Sequence, residues 1–484
     1  TRWLALVLLI FSVTTLFAGT YGKIVGKAID KKTGEPLPLV NVLLEGTSIG
    51  GSTDTEGRLT IISVPPGIYQ VRATLLGYAA QVVTKVVVRA DLTTTIQFDM
   101  TETALTLGTE VIVVAERPMI NKDETSKMSI ISSETFSDLP VTSFQQVIAL
   151  QAGFVTDASG ELHARGGRSN EVVYLVDGVT TRDPMSGGMG TQLDKYAIQE
   201  LQVLTGGFSA EYGQALSGVV NIVTKEGGTR YSGRIEFESS PLSESPYHKA
   251  DALANDYMGV DASGVHRPRV DDKGRLILDI PSAYQTQTLD GTPALFPDVD
   301  YLGQLSLILS GPVPFVPELK LFSTARMENA LSSLPWGYNK ERETNVKFTY
   351  ALGNWKFSLA DRRFWRAYKP YSHTWKYLPE GYPSREEQTS RDNFSVNYFP
   401  STETFYTLNS VYNYRHFRLY TPGKYANFSN DGILVESNYV KNSGNQFIQG
   451  GDLGDYTENR LGTLIAKIDL THQFNRYNLL KIGT

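Results

Sequence analysis

The sequence predicts a mainly β protein in three parts: a small N-terminal β-sandwich, a mixed α/β domain, and part of a transmembrane antiparallel β-barrel. Three observations predict it. Residues 22–100 hold about seven short strands separated by turn residues. Residues 120–226 mix a helical apolar spacing with continuous apolar strands. After Gly228 the strands lengthen and alternate apolar with polar residues.

The chain has 484 residues, too many for one ordinary core, so several domains are expected. Lys+Arg number 45 against 51 Asp+Glu, a net charge of −6 that argues against nucleic acid as a partner. No interior run approaches the roughly 20 apolar residues of a spanning helix, so a membrane crossing must use strands. There is no cysteine, which excludes disulfides, thiolate metal sites and a cysteine nucleophile.

Residues 1–21 read as an export signal: Arg2 supplies a positive charge, Leu4 to Phe17 is largely apolar, and Ala18, Gly19 and Gly22 are small.

The sandwich is expected over residues 22–100, with turns at Thr33-Gly34, Asp54 to Gly57 and Pro65-Pro66-Gly67. Gly26, Asp30, Gly34, Pro36, Val40, Asn41, Thr53, Asp54, Gly57, Pro65, Gly67, Tyr69 and Gly77-Tyr78 carry a resemblance to the carboxypeptidase regulatory-like domain, an Ig-like or transthyretin-like sandwich. That name does not imply peptidase chemistry. The histidines (163, 248, 266, 373, 416 and 472) are far apart, all lie outside the sandwich, and no His-x-x-Glu occurs. The chain is therefore not expected to be an enzyme.

Residues 101–119 read as a linker. Within it, Glu110, Val111, Ile112, Val113, Val114 and Ala115 form an extended apolar segment with an acidic start. Such a segment can add as a strand to a partner's sheet edge. It can equally be an ordinary strand of a neighbouring domain.

In the α/β domain, expected over residues 120–226, Val141 to Leu150 suits a short helix capped by Thr142 or Ser143. Val172 to Val176 is a buried strand stopped by Asp177-Gly178. Arg165-Gly166-Gly167-Arg168, Tyr174 to Val179, Ala210-Glu211-Tyr212-Gly213 and Ser217 to Lys225 resemble, in order and spacing, the plug of a TonB-dependent receptor. The resemblance implies a plug signature and plug–barrel contact set of Arg165, Gly166, Gly167, Asp177, Gly178, Glu211, Tyr212, Gly213, Gly218 and Asn221. Of these, Arg165 and Glu211 can pair either with the lumen wall or inside the plug. Gly187-Gly188-Met189-Gly190 lacks the Lys-Ser/Thr of a phosphate loop. It reads instead as an apical loop, with Arg182, Asp183, Gly187 and Gly188 as candidates to face ligand. The resemblance also makes Glu110 to Ala115 a candidate TonB box, because that box lies just before the plug.

From residue 228 to 484 the alternation is plain. Ile235 and Phe237, Leu305 to Leu309, Val346 to Tyr350, Phe394 to Tyr398 and Leu464 to Leu470 place apolar residues at every second position, although Ile308 blurs the pattern. Short connections at Leu352-Gly353-Asn354 and Pro400 to Glu403 alternate with long ones at 239–299, 330–343, 367–390 and 420–459. About nine strands are expected, against roughly 22 in a plugged transporter, so the barrel reads as truncated and the chain as an N-terminal fragment.

The resemblance implies uptake of a scarce ligand (siderophore, glycan or peptide) across the cell outer membrane, with the sandwich in the periplasm. It implies TonB with its inner-membrane energising complex as partner, outer-membrane lipid around the barrel, and no cofactor or metal. A SusD-like surface lipoprotein is a further partner that the SusC-like and Oar-like group admits. The alternative function is an Oar-like surface protein for adhesion or signalling with little transport.

Overall fold

The computed structural model describes residues 21–47, 49–103, 110–114, 128–139, 141, 144–157, 162–183, 187–207, 212–213, 215–238, 258–260, 266–268, 303–331, 338–375, 381–401, 403–421, 440–441, 448–450, 455–475 and 478–484. The export signal expected over 1–21 lies outside the described residues save for Tyr21.

The sandwich has two sheets. Strands β1 (Gly22–Asp30), β4 (Arg58–Val64) and β7 (Thr93–Met100) form one, in the order β4-β1-β7, with β1 and β7 parallel. Strands β2 (Asn41–Leu44), β3 (Gly50–Ser52), β5 (Gly67–Thr74), β6 (Ala80–Val88) and β8 (Glu110–Val114) form the other, in the order β3-β2-β5-β6-β8. Alternate residues point inward, so Ile24, Ala28, Val42, Leu44, Val71, Ala73, Phe98 and Met100 meet in one apolar core. Gly57 is required at its turn: its φ is +68°, and a Cβ there would sit 2.5 Å from the Ala28 carbonyl oxygen.

The α/β domain is a five-stranded mixed sheet ordered β13-β12-β15-β14-β9. Its strands are β9 (Met128–Ser132), β12 (Val172–Val176), β13 (Val179–Thr180), β14 (Ile198–Leu204) and β15 (Gly218–Thr224). Helix α1 (Ser133–Asp138), helix α2 (Phe144–Ala149) and the hairpin of β10 (Phe154–Thr156) and β11 (Leu162–Ala164) complete it. Helix α2 buries Phe144, Val147 and Ile148, the i, i+3, i+4 stripe its sequence suggests. Strands β12 and β15 pair in parallel and are buried throughout, which accounts for their unbroken apolar runs.

The remaining strands form a nine-stranded sheet among the described residues. They are β16 (Ser232–Glu238), β19 (Gln304–Val313), β20 (Val316–Leu331), β21 (Tyr338–Leu352), β22 (Trp355–Lys369), β23 (Ser384–Ser401), β24 (Thr404–Tyr420), β27 (Thr457–Gln473) and β28 (Leu479–Gly483). Each pairs antiparallel with the next. Two small hairpins, β17 (Met258–Val260) with β18 (His266–Pro268) and β25 (Val440–Lys441) with β26 (Ile448–Gly450), lie in the long connections. The connection read as 330–343 is shorter, because β20 and β21 pair as far as Leu331 and Tyr338.

This sheet inverts the usual rule for burial. Leu464 is 70% exposed and Ile468 56%, whereas Arg391 and Thr324 are 1% exposed. The outward face is apolar; the polar inward face lies against the α/β domain, as in a membrane barrel around a filled lumen. Ile308, the residue that blurs the alternation, packs inward against that domain's core together with Phe322. At the end with the short turns, Trp355 stacks on Tyr398 at 4.2 Å and Tyr398 on Tyr406 at 6.3 Å, an outward aromatic band. The sandwich sits at this same end: Lys23 Nζ donates to Gln473 Oε1 at 3.4 Å, and Lys481 Nζ to Asp91 Oδ1 at 2.8 Å.

Candidate functional site at the plug–barrel contact

The contact is built on one tight turn. Asp177 and Gly178 join β12 to β13 with φ values of 51° and 75°. Both signs are positive, which an Asp-Gly pair tolerates and most pairs do not. The turn therefore projects the Asp177 carboxylate and a row of carbonyl oxygens toward the sheet.

Four cations from four strands receive them. Arg362 Nη2 lies 3.0 Å from Asp177 Oδ2, and Lys347 Nζ lies 3.7 Å from it. Arg391 donates to the carbonyl oxygens of Val176 (3.3 Å), Val179 (3.3 Å) and Thr180 (3.4 Å), and to Asn413 Oδ1 at 2.9 Å. Lys467 Nζ donates to the Gly178 carbonyl at 3.2 Å. From the plug side, the Thr224 backbone N–H donates to Asp177 Oδ1 at 2.9 Å and its hydroxyl to Oδ2 at 2.7 Å. Burial pushes the Asp177 carboxyl up, but Lys347, Arg362 and Thr224 outweigh it and hold it well below the usual carboxylate range. It stays ionised at any physiological pH.

Two further contacts extend this grip along the wall. Nearer the short turns, Lys356 Nζ bonds both oxygens of Glu226 at 2.9 Å. Toward the other end, Asp183 is closely paired with Arg415, whose Nε also reaches Glu387 Oε1 at 2.9 Å. Elsewhere on the sheet, on β21 and β16, the Asp194 N–H donates to Glu343 Oε1 at 2.5 Å and the Tyr196 hydroxyl to Glu236. Such an arrangement holds the domain by many directional polar bonds. Each can be broken singly, whereas an apolar seal would have to be opened as a whole.

The residues singled out in the sequence fall into three groups. Asp177 and Gly178 are in the contact, and Asn221, fully buried beside Gln202, lies behind it in the sheet. Arg165 (φ 50°) and Gly166 (φ 75°) form an exposed turn, with the Arg165 side chain lying along Gly206 of the same domain. Gly167 packs against Ser217 and Glu171, and Gly218 against Ala164, also inside it. Tyr212 packs on a small cluster with Val173 and Leu175, and Gly213 is open around its Cα. Glu211 and Ala115 lie outside the described residues. In the apical loop, Arg182 donates to the Gly187 and Asn170 carbonyls, and the Asp183 N–H donates to Gly188 O at 2.9 Å. Asp183 is buried.

Sequence reasoning missed the barrel half of the contact. Lys347, Arg362, Arg391, Arg415 and Lys467 all occupy inward positions of alternating strands, and a large cation at such a position was the available signal. It also missed Asp194, Tyr196 and Glu226. Among the described residues no group of His, Asp or Glu is placed to hold a metal.

Residues 24–113 match the family model of the CarboxypepD_reg-like domain, and residues 121–220 match that of the TonB-dependent Receptor Plug Domain. The chain carries the plug of a TonB-dependent receptor. The TonB-dependent transporter Oar of Myxococcus xanthus is 26% identical over 226 residues, 44% of this chain and 21% of that one. The TonB-dependent receptor SusC of Bacteroides thetaiotaomicron is 24% identical over 241 residues, 46% of this chain and 23% of that one. The solved outer membrane transporter YddB from Escherichia coli gives a TM-score of 0.47 at 10% identity, over 72% of this chain and 45% of that one. The matched part of this chain thus spans about a quarter of the length of these curated relatives, from 21% to 28%.

Proposed function

We propose that this protein is an outer-membrane receptor that imports a scarce ligand, a siderophore, glycan or peptide, by TonB-driven movement of the plug. The observation that carries the reading is the grip on Asp177-Gly178. An ionised carboxylate and the carbonyls beside it are held by inward cations of a sheet whose outer face is apolar. Contacts of this kind let a plug hold and then yield bond by bond.

In this reading residues 1–21 direct export and 22–100 form a periplasmic sandwich; 101–119, which also supply its strand β8, lead to a plug over 120–226. The strands after 228 belong to a closed barrel. Support for closure comes from the sheet itself: its edge strands β16 and β28 would expose unpaired backbone groups to hydrocarbon if left open. Glu110 to Ala115 serve as the TonB box. A ligand approaching from the long connections would meet the plug at 182–190.

The test is fractionation followed by deletion. The full-length protein is expected in the outer membrane and soluble only with detergent; release by carbonate alone overturns the barrel. Deleting 110–115 is expected to abolish retention of the protein by an immobilised periplasmic domain of the host's TonB. Undiminished retention overturns the box.

A further inference from the structure

Two structures compete for the backbone of Glu110–Val114. In the fold these residues are β8, parallel to β6, with Ala80 opposite Glu110 and Thr84 opposite Val114. The match to the regulatory-like domain extends to residue 113 and that of the plug starts at 121, so the sandwich's own family includes this strand. Under the function proposed above, the same residues pair with a strand of TonB. One edge of a strand can hold one neighbour.

The local architecture suits a strand that is held and then released. Upstream, the chain is pinned: Ala79 N–H donates to Thr101 O, Thr103 N–H donates to Gly77 O, both at 2.9 Å, and Tyr78 bridges to Glu102. Removing β8 leaves that anchor in place. The strand pairs over five positions only, in the parallel arrangement that is weaker per residue, and at the outer end of its sheet. Its partner β6 also leads into the turn by which the sandwich meets the plug. The Ala90 N–H donates to Glu200 Oε1 at 3.2 Å and Gln202 Nε2 donates to the Ala90 carbonyl at 2.7 Å. The strand that pairs with β8 therefore runs directly into the turn that contacts the plug.

We propose that β6 is the resting partner of Glu110–Val114, and that TonB engages this strand only after it leaves β6. The sandwich is then a mask over the coupling strand, and the affinity of TonB is reduced by the fraction of time the strand is paired. This rests on the box assignment above.

These 484 residues contain no cysteine, so an engineered pair meets no native thiol among them. Val82 and Ile112 face each other in register. In the full-length receptor, V82C/I112C is expected to form a disulfide under mild oxidation, because neighbouring strands bring Cα atoms within bridging range. Binding to the purified periplasmic domain of TonB is expected to fall at least ~10-fold in the oxidised form and to recover fully with reductant. An oxidised receptor that binds as tightly as the reduced one overturns the mask, since TonB would then add to the free outer edge. Failure of the disulfide to form also overturns it, because the strands would not be paired. Ile112→Pro separates the two levels of the argument. If it abolishes binding while the disulfide does not, the box stands and the mask falls; if it leaves binding unchanged, the box itself is wrong and the mask falls with it.

Discussion

Arg362 of the barrel wall and Asp177 of the plug lie 3.0 Å apart, and Asp177 is the only side chain of its turn to meet the wall by charge; the rest of the turn is gripped through main-chain oxygens. The carboxylate and the guanidinium are both largely removed from water. Loss of one leaves the other uncompensated.

Asp177→Asn removes the charge and keeps the shape. It is expected to weaken attachment of the plug by about 2–4 kcal/mol, because Arg362 and Lys347 lose their shared counterion. Thermal unfolding of the detergent-solubilised receptor would show this as a lower transition temperature. An unchanged transition would remove Asp177 from the lock.

Arg391 reaches three carbonyls and one amide oxygen at once, a geometry that a guanidinium fork satisfies and an ammonium does not. Arg391→Lys should therefore cost about 1–3 kcal/mol locally. The readout is hydrogen exchange at the Thr181 amide, which donates to the Tyr174 carbonyl at 3.0 Å and closes the hairpin. Exchange as slow as in the unaltered chain would contradict the assignment.

The contact between the sandwich and the plug is expected to depend on pH. Burial pushes the Glu200 carboxyl up to about 7 from its ordinary 4.5, with Gln202 and Ala90 opposing the shift. A carboxyl that binds its proton more tightly when docked makes docking strongest below its ordinary value and weaker as pH rises through about 7. The loss is on the order of 1–3 kcal/mol. Protease access to the turn at Arg89–Asp91 is expected to increase between about pH 5 and about pH 8, and Glu200→Gln to abolish that dependence. A pH-independent digest of the unaltered receptor would refute this.

Gly178→Ala places a side chain at a φ of +75° in the turn that presents the whole contact. The expected penalty is about 1 kcal/mol or more. Gly233→Ala, in β16 and without a positive φ, is the control and should be close to neutral. Chemical denaturation midpoints compare the two; equal midpoints would mean that the turn is not strained.

Much of this was legible because period and turn chemistry are local. The sandwich turns, the stripe of α2, the Asp177-Gly178 stop and the alternation along β22 to β27 each follow from neighbouring residues. The pairing of Arg391 with the carbonyls of Val176 and Val179 was not, since more than two hundred residues separate them and carbonyl oxygens leave no mark in a sequence. Arg165 was conspicuous in its motif, yet it lies exposed beside Gly206 of its own domain, and nothing in its neighbours distinguishes such an arginine from one that reaches the wall. For Glu110–Val114 the sequence supports a strand but not a choice of neighbour; the pairing with β6 depends on how the chain returns after Thr103.

The five-stranded sheet of the plug has the Asp177–Gly178 contact and its N-terminal strand at opposite edges. The hairpin of β12 and β13 lies at one edge, held by four cations, while β9 lies at the other, joined to β14 from Met128 to Ser132. A load arriving through the residues before 128 enters at β9. It peels that strand from β14 one rung at a time and reaches the tethered edge last. Traction from the N-terminal side would then unravel the plug as a ribbon still fastened along its far margin, leaving a gap beside β14 and a nucleus on which the sheet can wind back.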